Sequence, residues 1–147
     1  MGDVNNEGHA DIVVNGNAVD RDQPNGSDVY LADGGGGWKR SSAGLKVLKL
    51  ASEGVALGDL AGDGNLDMVA AGNVTGNVRD GYGLFWFRGD GKGGWSLVPE
   101  SGLPSRGLSA VHSITLADVD HDGFLEIIAL CGGNHGSILM WKRQQPV

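Results

Sequence analysis

The sequence lacks several features that would identify common protein classes. It contains a single cysteine, Cys131, which excludes an intramolecular disulfide. Its apolar runs reach about five residues, whereas a membrane-spanning helix needs roughly 20. Its 11 lysine and arginine residues form no basic stripe, so we expect no nucleic-acid partner. Disulfide scaffolds, helical membrane proteins and nucleic-acid binders are therefore set aside.

Other signals are missing as well. The first residues, MGDVNNEG, contain no apolar segment like that of a signal peptide, so the sequence itself leaves the compartment unassigned. The 4 histidines are not spaced with cysteine or with one another as a zinc site requires, and we expect surface or structural roles for them. Cys131 stands in the apolar run IIALCGG and should be a buried thiol.

Glycine, by contrast, is abundant. It accounts for 27 of 147 residues and shows no period of three, so a collagen-like chain is excluded. Abundant glycine between short apolar runs, with only 4 prolines, predicts many tight turns and an all-β fold.

The acidity of the chain is local. The net charge is −7, yet ten of the 18 acids lie in three short segments, and the rest of the chain has 8 acids against 11 bases. A merely solvated acidic surface would be spread out, whereas clustered carboxylates predict bound cations.

The three acidic segments are copies of one unit. They are GDVNNEGHADIVV (2–14), GDLAGDGNLDMVA (58–70) and ADVDHDGFLEIIA (117–129), whose first acids are 56 and 59 residues apart. The similarity continues downstream, because DVYLADGGGGW (28–38) matches LFWFRGDGKGGW (84–95), and ILMWKR (138–143) matches the same strand again. Internal repeats at this spacing indicate a repeat architecture.

The sequence of each full unit predicts four short strands, the number found in a β-propeller blade. The ambiguous segment 45–54 is assigned to a strand from its place in the repeat and its Leu/Val alternation. We predict about ten strands in a partial propeller of two and a half to three blades. It forms one segment, 1–147, with repeats 1–53, 54–111 and an incomplete 112–147. The first repeat lacks its first strand and the third its fourth.

Such an arc cannot close a ring by itself, because closed propellers contain about 4–8 blades. We therefore expect the chain either to be part of a longer propeller or to self-associate, most simply as a dimer. The four tryptophans should pack between blades, and the alternative is that they form exposed sugar-stacking surfaces: Trp38, Trp86, Trp95 and Trp141.

The acidic segments have the pattern of a calcium loop. Acids at alternate positions 1, 3 and 5 place oxygens around a hard divalent ion, and glycine at position 6 permits a tight turn. An EF-hand would have a bidentate glutamate at position 12, which is occupied instead by Val14, Ala70 and Ala129. The last acid stands at position 9 and a strand follows, so an EF-hand is excluded. The alternative to a metal site is an empty Asx-type turn.

The pattern D-x-[DN]-x-[DE]-G-x-x-[DE] between two strands resembles the calcium loops of FG-GAP/VCBS repeats, which form seven-bladed propellers in integrin α-chain heads and in many bacterial secreted or surface proteins. The resemblance implies up to three Ca²⁺ ions, each held by side chains at positions 1, 3, 5 and 9 and by the carbonyl at position 7. The ligands implied are Asp3, Asn5, Glu7, Asp11 and the His9 carbonyl in loop 1; Asp59, Asp63, Asp67 and the Asn65 carbonyl in loop 2; and Asp118, Asp120, Asp122, Glu126 and the Phe124 carbonyl in loop 3.

The loops depart unequally from this pattern. Ala61 removes the position 3 ligand of loop 2, whereas loop 1 has a neutral Asn5 and a longer Glu7. Loop 3 has four carboxylates and should bind most tightly, because affinity rises with ligand charge.

The predicted function is a calcium-binding repeat module with a structural or binding role, such as adhesion or protein interaction. The polar loops 16–28 and 72–83, the latter with Tyr82, are candidate binding surfaces. A lectin-like carbohydrate-binding propeller and a non-catalytic part of a larger secreted enzyme remain alternatives. No catalytic motif is present, so we expect no enzyme activity. The resemblance suggests a secreted or cell-surface protein.

Overall fold

The computed structural model describes residues 1–16, 26–45, 48–133 and 136–142. These residues form ten β-strands in three antiparallel sheets and one short 3-10 helix, Val78–Asp80. The predicted all-β class and strand number are confirmed. In the described ranges no helix is long and apolar enough to cross a membrane.

The three sheets contain three, four and three strands in chain order. Sheet 1 contains β1 (Ile12–Gly16), β2 (Gly26–Ala32) and β3 (Trp38–Arg40); sheet 2 contains β4 (Leu50–Gly58), β5 (Asp67–Asn73), β6 (Gly83–Gly89) and β7 (Trp95–Leu97); and sheet 3 contains β8 (Val111–Ala117), β9 (Glu126–Cys131) and β10 (Ser137–Trp141). Within the described ranges, sheet 1 lacks the first strand of the unit and sheet 3 the fourth, as the repeat predicted. Of the segment 45–54, for which the sequence predicts a strand, residues 50–54 belong to β4, whereas residues 45, 48 and 49 are not in a strand and residues 46–47 lie outside the described residues.

Strand β5 lies at the centre of the molecule, and all its residues are buried. Because side chains alternate along a strand, Met68 and Ala70 face sheet 1 whereas Val69 and Ala71 face sheet 3. Two apolar cores result. Core 1, between sheets 1 and 2, contains Val4, Val29, Leu45, Leu48, Met68, Ala70, Phe85, Phe87 and Trp95, and core 2, between sheets 2 and 3, contains Leu60, Val69, Ala71, Leu84, Val111, Ile114, Ile127, Ala129 and Cys131.

The tryptophans differ in their packing. Trp95 is buried in core 1, and Trp86 and Trp141 are half-buried against core 2. Trp38 is 50% exposed, because no sheet of described residues packs on the face of sheet 1 that carries it. The expected packing between sheets is therefore observed for three of the four. Cys131 is buried as expected, and burial raises the pKa of its thiol.

Polar side chains also link the sheets. Strand β4 contains a β-bulge between Ala51 and Val55. The side-chain amide of Asn15 donates to the carbonyls of Ser52, Gly54 and Ala71 at 2.6, 3.0 and 2.8 Å. On the other side of sheet 2, the Ser52 hydroxyl donates to the Val111 carbonyl at 2.9 Å and accepts from its amide at 2.8 Å. Sheet 2 is thus hydrogen-bonded to both neighbours.

The two glycine-rich hairpins share one construction. In the β6–β7 hairpin, the Asp90 carboxylate accepts the amides of Lys92 and Gly94, both at 2.8 Å. In the β2–β3 hairpin, Asp33 accepts those of Gly35 and Gly37, also at 2.8 Å. The hydrogen bonds that Asp90 accepts, of which the one from Gly94 has the largest effect, lower the pKa of its carboxyl group. The carboxylate therefore shapes the turn that leads to Trp95.

Replacing Asp90 with alanine should lower the melting temperature by about 2–4 °C, because two backbone donors lose a charged acceptor, worth about 1 kcal/mol in an exposed turn. The matched variant Asp90→Asn retains a side-chain carbonyl and should lose less. Thermal unfolding followed by circular dichroism measures both, and equal melting temperatures for Asp90→Ala and the wild type would contradict the assignment.

Three acidic loops form a candidate metal centre

Each acidic loop precedes the strand that begins at its last acid or directly after it. Loop 1 (residues 3–11) leads into β1, loop 2 (59–67) joins β4 to β5, and loop 3 (118–126) joins β8 to β9. The predicted position between the first and second strands of a unit is observed for loops 2 and 3. Asn6 of loop 1 donates to Asn65 of loop 2 at 3.0 Å, so these two loops are adjacent.

The acid at position 1 organises each turn. Asp3 accepts the amides of Glu7 and Gly8 at 3.1 and 2.7 Å. Asp118 accepts those of Asp122 and Gly123 at 3.1 and 3.0 Å. The acid in loop 2 makes the same two bonds and a third, so that Asp59 accepts from Gly62, Asp63 and Gly64. The chain therefore curls around this carboxylate in all three copies.

Two positions in each loop have left-handed backbone conformations. Position 6 is glycine, as the pattern requires, with φ of 91°, 84° and 88° in loops 1, 2 and 3. Position 4 is also left-handed, with φ of 58° at Asn6, 71° at Gly62 and 60° at His121. The second position was not predicted. The side chain of His121 is exposed, in agreement with the surface role expected for it.

The acid at position 9 is buried in every loop. Asp11, Asp67 and Glu126 are 0%, 0% and 2% exposed. Each accepts an amide from the start of its own loop: Asp11 from Val4 at 2.9 Å, Asp67 from Ala61 at 2.9 Å and Glu126 from Val119 at 2.7 Å. These carboxylates thus hold the loop onto its sheet.

In loops 1 and 2 the second oxygen of this acid reaches the third strand. Asp11 accepts the Ala32 amide at 2.9 Å, and Asp67 accepts the Gly89 amide at 3.0 Å. The corresponding residue in the third copy, Arg143, lies outside the described residues. Burial raises the pKa of Asp67, and the hydrogen bonds from Gly89 and Ala61 partly oppose that effect.

Loop 3 brings three carboxylates together. One oxygen each of Asp118, Asp120 and Glu126 lies within 4.8 Å of the others. In the part of the chain that the structure describes, no other group of acidic, histidine or cysteine side chains meets this criterion. Carboxylate oxygens around a common point fit Ca²⁺, which takes 6–8 oxygen ligands. The donor set of loop 3 therefore fits the ion implied by its sequence.

Loops 1 and 2 fit less well. In loop 1 the side-chain oxygen of Asn5, at position 3, is buried and has no hydrogen-bond partner among the described residues. An oxygen in this state is suited to a cation. Glu7 and the His9 side chain are exposed. Loop 2 has Ala61 at position 3, so its acids are Asp59, Asp63 and Asp67 alone.

The carbonyl ligands implied by the resemblance lie at position 7, where the turn ends. Asn65 and Phe124 each donate their amide to the position 5 acid of their own loop, both at 3.0 Å. These bonds hold the backbone of position 7 close to the acidic side chains. Coordination by the carbonyls of His9, Asn65 and Phe124 remains a prediction.

Sequence reasoning missed two cations beside the loops. Lys142, directly after β10, forms ion pairs with Asp120 and, at 2.8 Å, with Asp122. Arg88, on β6, pairs with Asp63 at 2.7 Å. The contact with Lys142 lowers the pKa of Asp122, and the contact with Arg88 lowers the pKa of Asp63. The contacts with Asp120 and Asp122 raise the pKa of Lys142.

Both cations occupy the same position of the repeat. Arg88 follows Phe87 on the third strand of its unit, as Lys142 follows Trp141, and Leu31 is at this position in the first unit. The sequence did contain a signal for these ion pairs. The two units whose loop has aspartate at position 5 also have a basic residue directly after the aromatic residue of the third strand. In loops 2 and 3 a protein cation thus balances part of the acidic charge.

Replacing Lys142 with methionine should increase the affinity of the candidate site in loop 3 for calcium about two- to fivefold, because the exposed ion pairs of Lys142 with Asp120 and Asp122 must open on binding. Isothermal titration calorimetry at fixed ionic strength measures the change. Lys39→Met removes the same charge from an exposed position on β3 and should leave the affinity unchanged. An equal gain in calcium affinity in both variants would mean that the affinity depends on the net charge of the chain and not on the ion pairs of Lys142.

The structure describes only one of the two candidate binding loops, 16–28 and 72–83, in full. Residues 17–25 of loop 16–28 lie outside the described residues. In loop 72–83 the buried Asn73 side chain accepts the amides of Thr75 and Gly76 and donates to the carbonyls of Asn77 and Gly81. Tyr82 pairs with Leu108 and packs against core 2, so its ring is not a free platform for a sugar.

A cleft opens between sheets 2 and 3. Its volume is about 470 Å³ and its walls include the half-buried indoles of Trp86 and Trp141 together with Leu103. Glu100, Ser101 and Lys142 contribute polar groups to the same cleft. Its size and mixture of apolar and polar side chains are those of a small-molecule site.

Comparison with known proteins supports the repeat. Residues 59–129, which span loops 2 and 3, strands β5 to β8 and the first part of β9, match the model of the FG-GAP-like repeat. No curated protein and no solved structure matched the chain.

Proposed function

Because residues 59–129 form an FG-GAP-like repeat, we propose that this chain is a calcium-binding β-propeller module without catalytic activity. Its three sheets are blades, its acidic loops hold Ca²⁺, and the rigid framework presents surfaces for protein interaction or adhesion. The ions neutralise clustered carboxylates and tie each loop to its blade. The recognition itself lies elsewhere on the module.

The convergence of Asp118, Asp120 and Glu126 carries the proposal. Glu126 is almost completely buried, and an ionised carboxylate in such a place requires hydrogen bonds or a cation. The amide of Val119 satisfies one of its oxygens. Asp118 and Asp120 contribute further negative charge close by, so a divalent cation relieves their mutual repulsion.

Calorimetric titration of the metal-free chain with CaCl₂ tests this function. We expect loop 3 to be the tightest site and Asp118→Asn to remove it, because the carboxylate contributes charge as well as an oxygen. Glu53→Asn removes a carboxylate on β4 outside the loops and should bind as the wild type does. Absence of calcium binding by the wild-type chain at millimolar concentrations would refute the proposal.

The cleft between sheets 2 and 3 favours carbohydrate binding as a second candidate function. The faces of Trp86 and Trp141 can stack on the apolar face of a sugar, while Glu100 and Ser101 can accept or donate hydrogen bonds to its hydroxyl groups. The half-buried state of both indoles is compatible with such a contact.

A glycan array followed by tryptophan fluorescence titration tests this candidate. A sugar that binds in the cleft should change the fluorescence of the wild type, and Glu100→Gln should weaken its binding. Trp38→Phe, which alters an indole on the far side of sheet 1, should leave it unchanged. Failure of every glycan to bind would remove the carbohydrate function and leave the calcium proposal intact.

A further inference from the structure

The exposed apolar side chains concentrate on two outer faces of the molecule. One, named the head face, belongs to sheet 1 and contains Ile12, Val14, Tyr30 and Trp38; the other, the tail face, belongs to sheet 3 and contains Ile128, Leu130, Ile138 and Met140. Val14 and Trp38 are 44% and 50% exposed, and the three exposed residues of the tail face reach 46%, 74% and 58%. Large apolar side chains on one contiguous face indicate an interaction surface.

The repeat shows what the tail face is built to contact. Aligning Asp67 with Glu126 makes Val69 equivalent to Ile128 and Ala71 equivalent to Leu130. In sheet 2, both Val69 and Ala71 are fully buried against sheet 3.

The neighbouring strand agrees with this alignment. Leu84 pairs with Ala71 as Ile138 pairs with Leu130, and Leu84 is 2% exposed whereas Ile138 is 74% exposed. The tail face is therefore the side of a sheet that packs on the next sheet in the series.

The head face is the complementary side. Aligning Asp11 with Asp67 makes Ile12 equivalent to Met68, and the hairpins make Trp38 equivalent to Trp95. Met68 and Trp95 are 0% and 7% exposed because both pack against sheet 1. The head face is therefore the side of a sheet that packs on the preceding sheet.

We propose that the tail face of one chain packs on the head face of a second copy of the same chain. The partner of a tail face must present a head face, and this chain carries one of each. Two copies joined at both ends would bring six sheets together, which is within the 4–8 blades of closed propellers. The same contact made twice about a two-fold axis would cover the head face and the tail face of both copies.

The head face contains a matched pair of opposite charges. The head face carries Asp28 and Arg40, which form an ion pair with each other. Asp28 also accepts the Ser42 hydroxyl at 2.7 Å. Docking on the head face therefore covers a charge pair that is already matched rather than an unpaired charge.

Size-exclusion chromatography with light scattering tests the contact at micromolar concentration. The wild type should have twice the 15.2 kDa mass of one chain. Ile138→Glu on the tail face and Trp38→Glu on the head face should each raise the dissociation constant about tenfold or more. Val78→Glu places the same charge at a 65% exposed position away from both faces and should leave the dimer unchanged. Circular dichroism verifies that each variant is folded.

Mixing the two face variants distinguishes this contact from a symmetric one. The Ile138→Glu chain keeps its head face and the Trp38→Glu chain keeps its tail face, so the mixture should recover one junction and a two-chain species. A contact between two tail faces would instead leave Trp38→Glu dimeric by itself. A monomeric wild type, or a mixture that stays monomeric, would overturn the proposal.

Discussion

Chelating calcium with EDTA is expected to lower the melting temperature of the wild-type chain by about 5–10 °C. A ligand present at 100 times its dissociation constant stabilises the folded state by about 2.7 kcal/mol, and about 1 kcal/mol corresponds to roughly 2–4 °C in a domain of this size. We expect a large effect because the proposed calcium sites lie where the folded state gathers ten carboxylates into three loops.

Most of this shift should depend on loop 3. Glu126→Gln keeps a side-chain oxygen that can accept the Val119 amide, so the turn is retained while the charge at the base of the site is lost. We expect this variant to melt at nearly the same temperature in calcium and in EDTA. Differential scanning calorimetry in the two buffers measures the difference directly.

Two further variants make this result specific. Glu53→Gln changes an exposed glutamate that pairs with His112, and it should retain the full calcium shift. Asp120→Asn changes a proposed ligand whose side chain is 49% exposed, so it should reduce the shift without unfolding the chain. A wild type that melts identically with and without EDTA would show that calcium does not stabilise this chain.

The loop geometry was largely predictable because it depends on local sequence. Acids at positions 1 and 9 and glycine at position 6 determine the turn through backbone hydrogen bonds that span at most seven residues, as for Asp3, Asp11 and Gly8. The strand order followed from the repeat. The left-handed position 4 was missed because Asn6 and His121 occupy it, and neither residue identifies such a conformation as glycine does.

Contacts between distant strands were less predictable. Lys142 meets Asp120 only because β10 pairs with β9 in a particular register, and the spacing of 22 residues in the chain does not reveal this. The half exposure of Trp38 depends on which sheet covers it. The turns that lead to Trp38 and to the buried Trp95 are similar, DGGGGW and DGKGGW, so they do not reveal which of the two tryptophans is covered.

The junction between sheets 1 and 2 provides the second large effect, since Asn15→Ala should destabilise the chain by about 2–4 kcal/mol. The bulge in β4 interrupts its pairing with β5 between Ala51 and Val55. Asn15 donates to the carbonyls of Ser52 and Gly54 within that interruption. Alanine would leave these partly buried carbonyls without this donor, and an unsatisfied buried acceptor costs about 1–3 kcal/mol.

A hydrogen bond from a neighbouring strand also fixes the orientation of the Asn15 side chain. Its side-chain oxygen accepts the Ser27 hydroxyl at 2.9 Å, which orients the amide toward sheet 2. Urea denaturation should therefore show a large loss for Asn15→Ala. The control Asn6→Gly removes an exposed hydrogen bond to Asn65 and suits the left-handed backbone there, so it should cost less than about 1 kcal/mol. Equal losses in the two variants would mean that Asn15 does not join the sheets, and that the apolar contacts of core 1 hold them together without it.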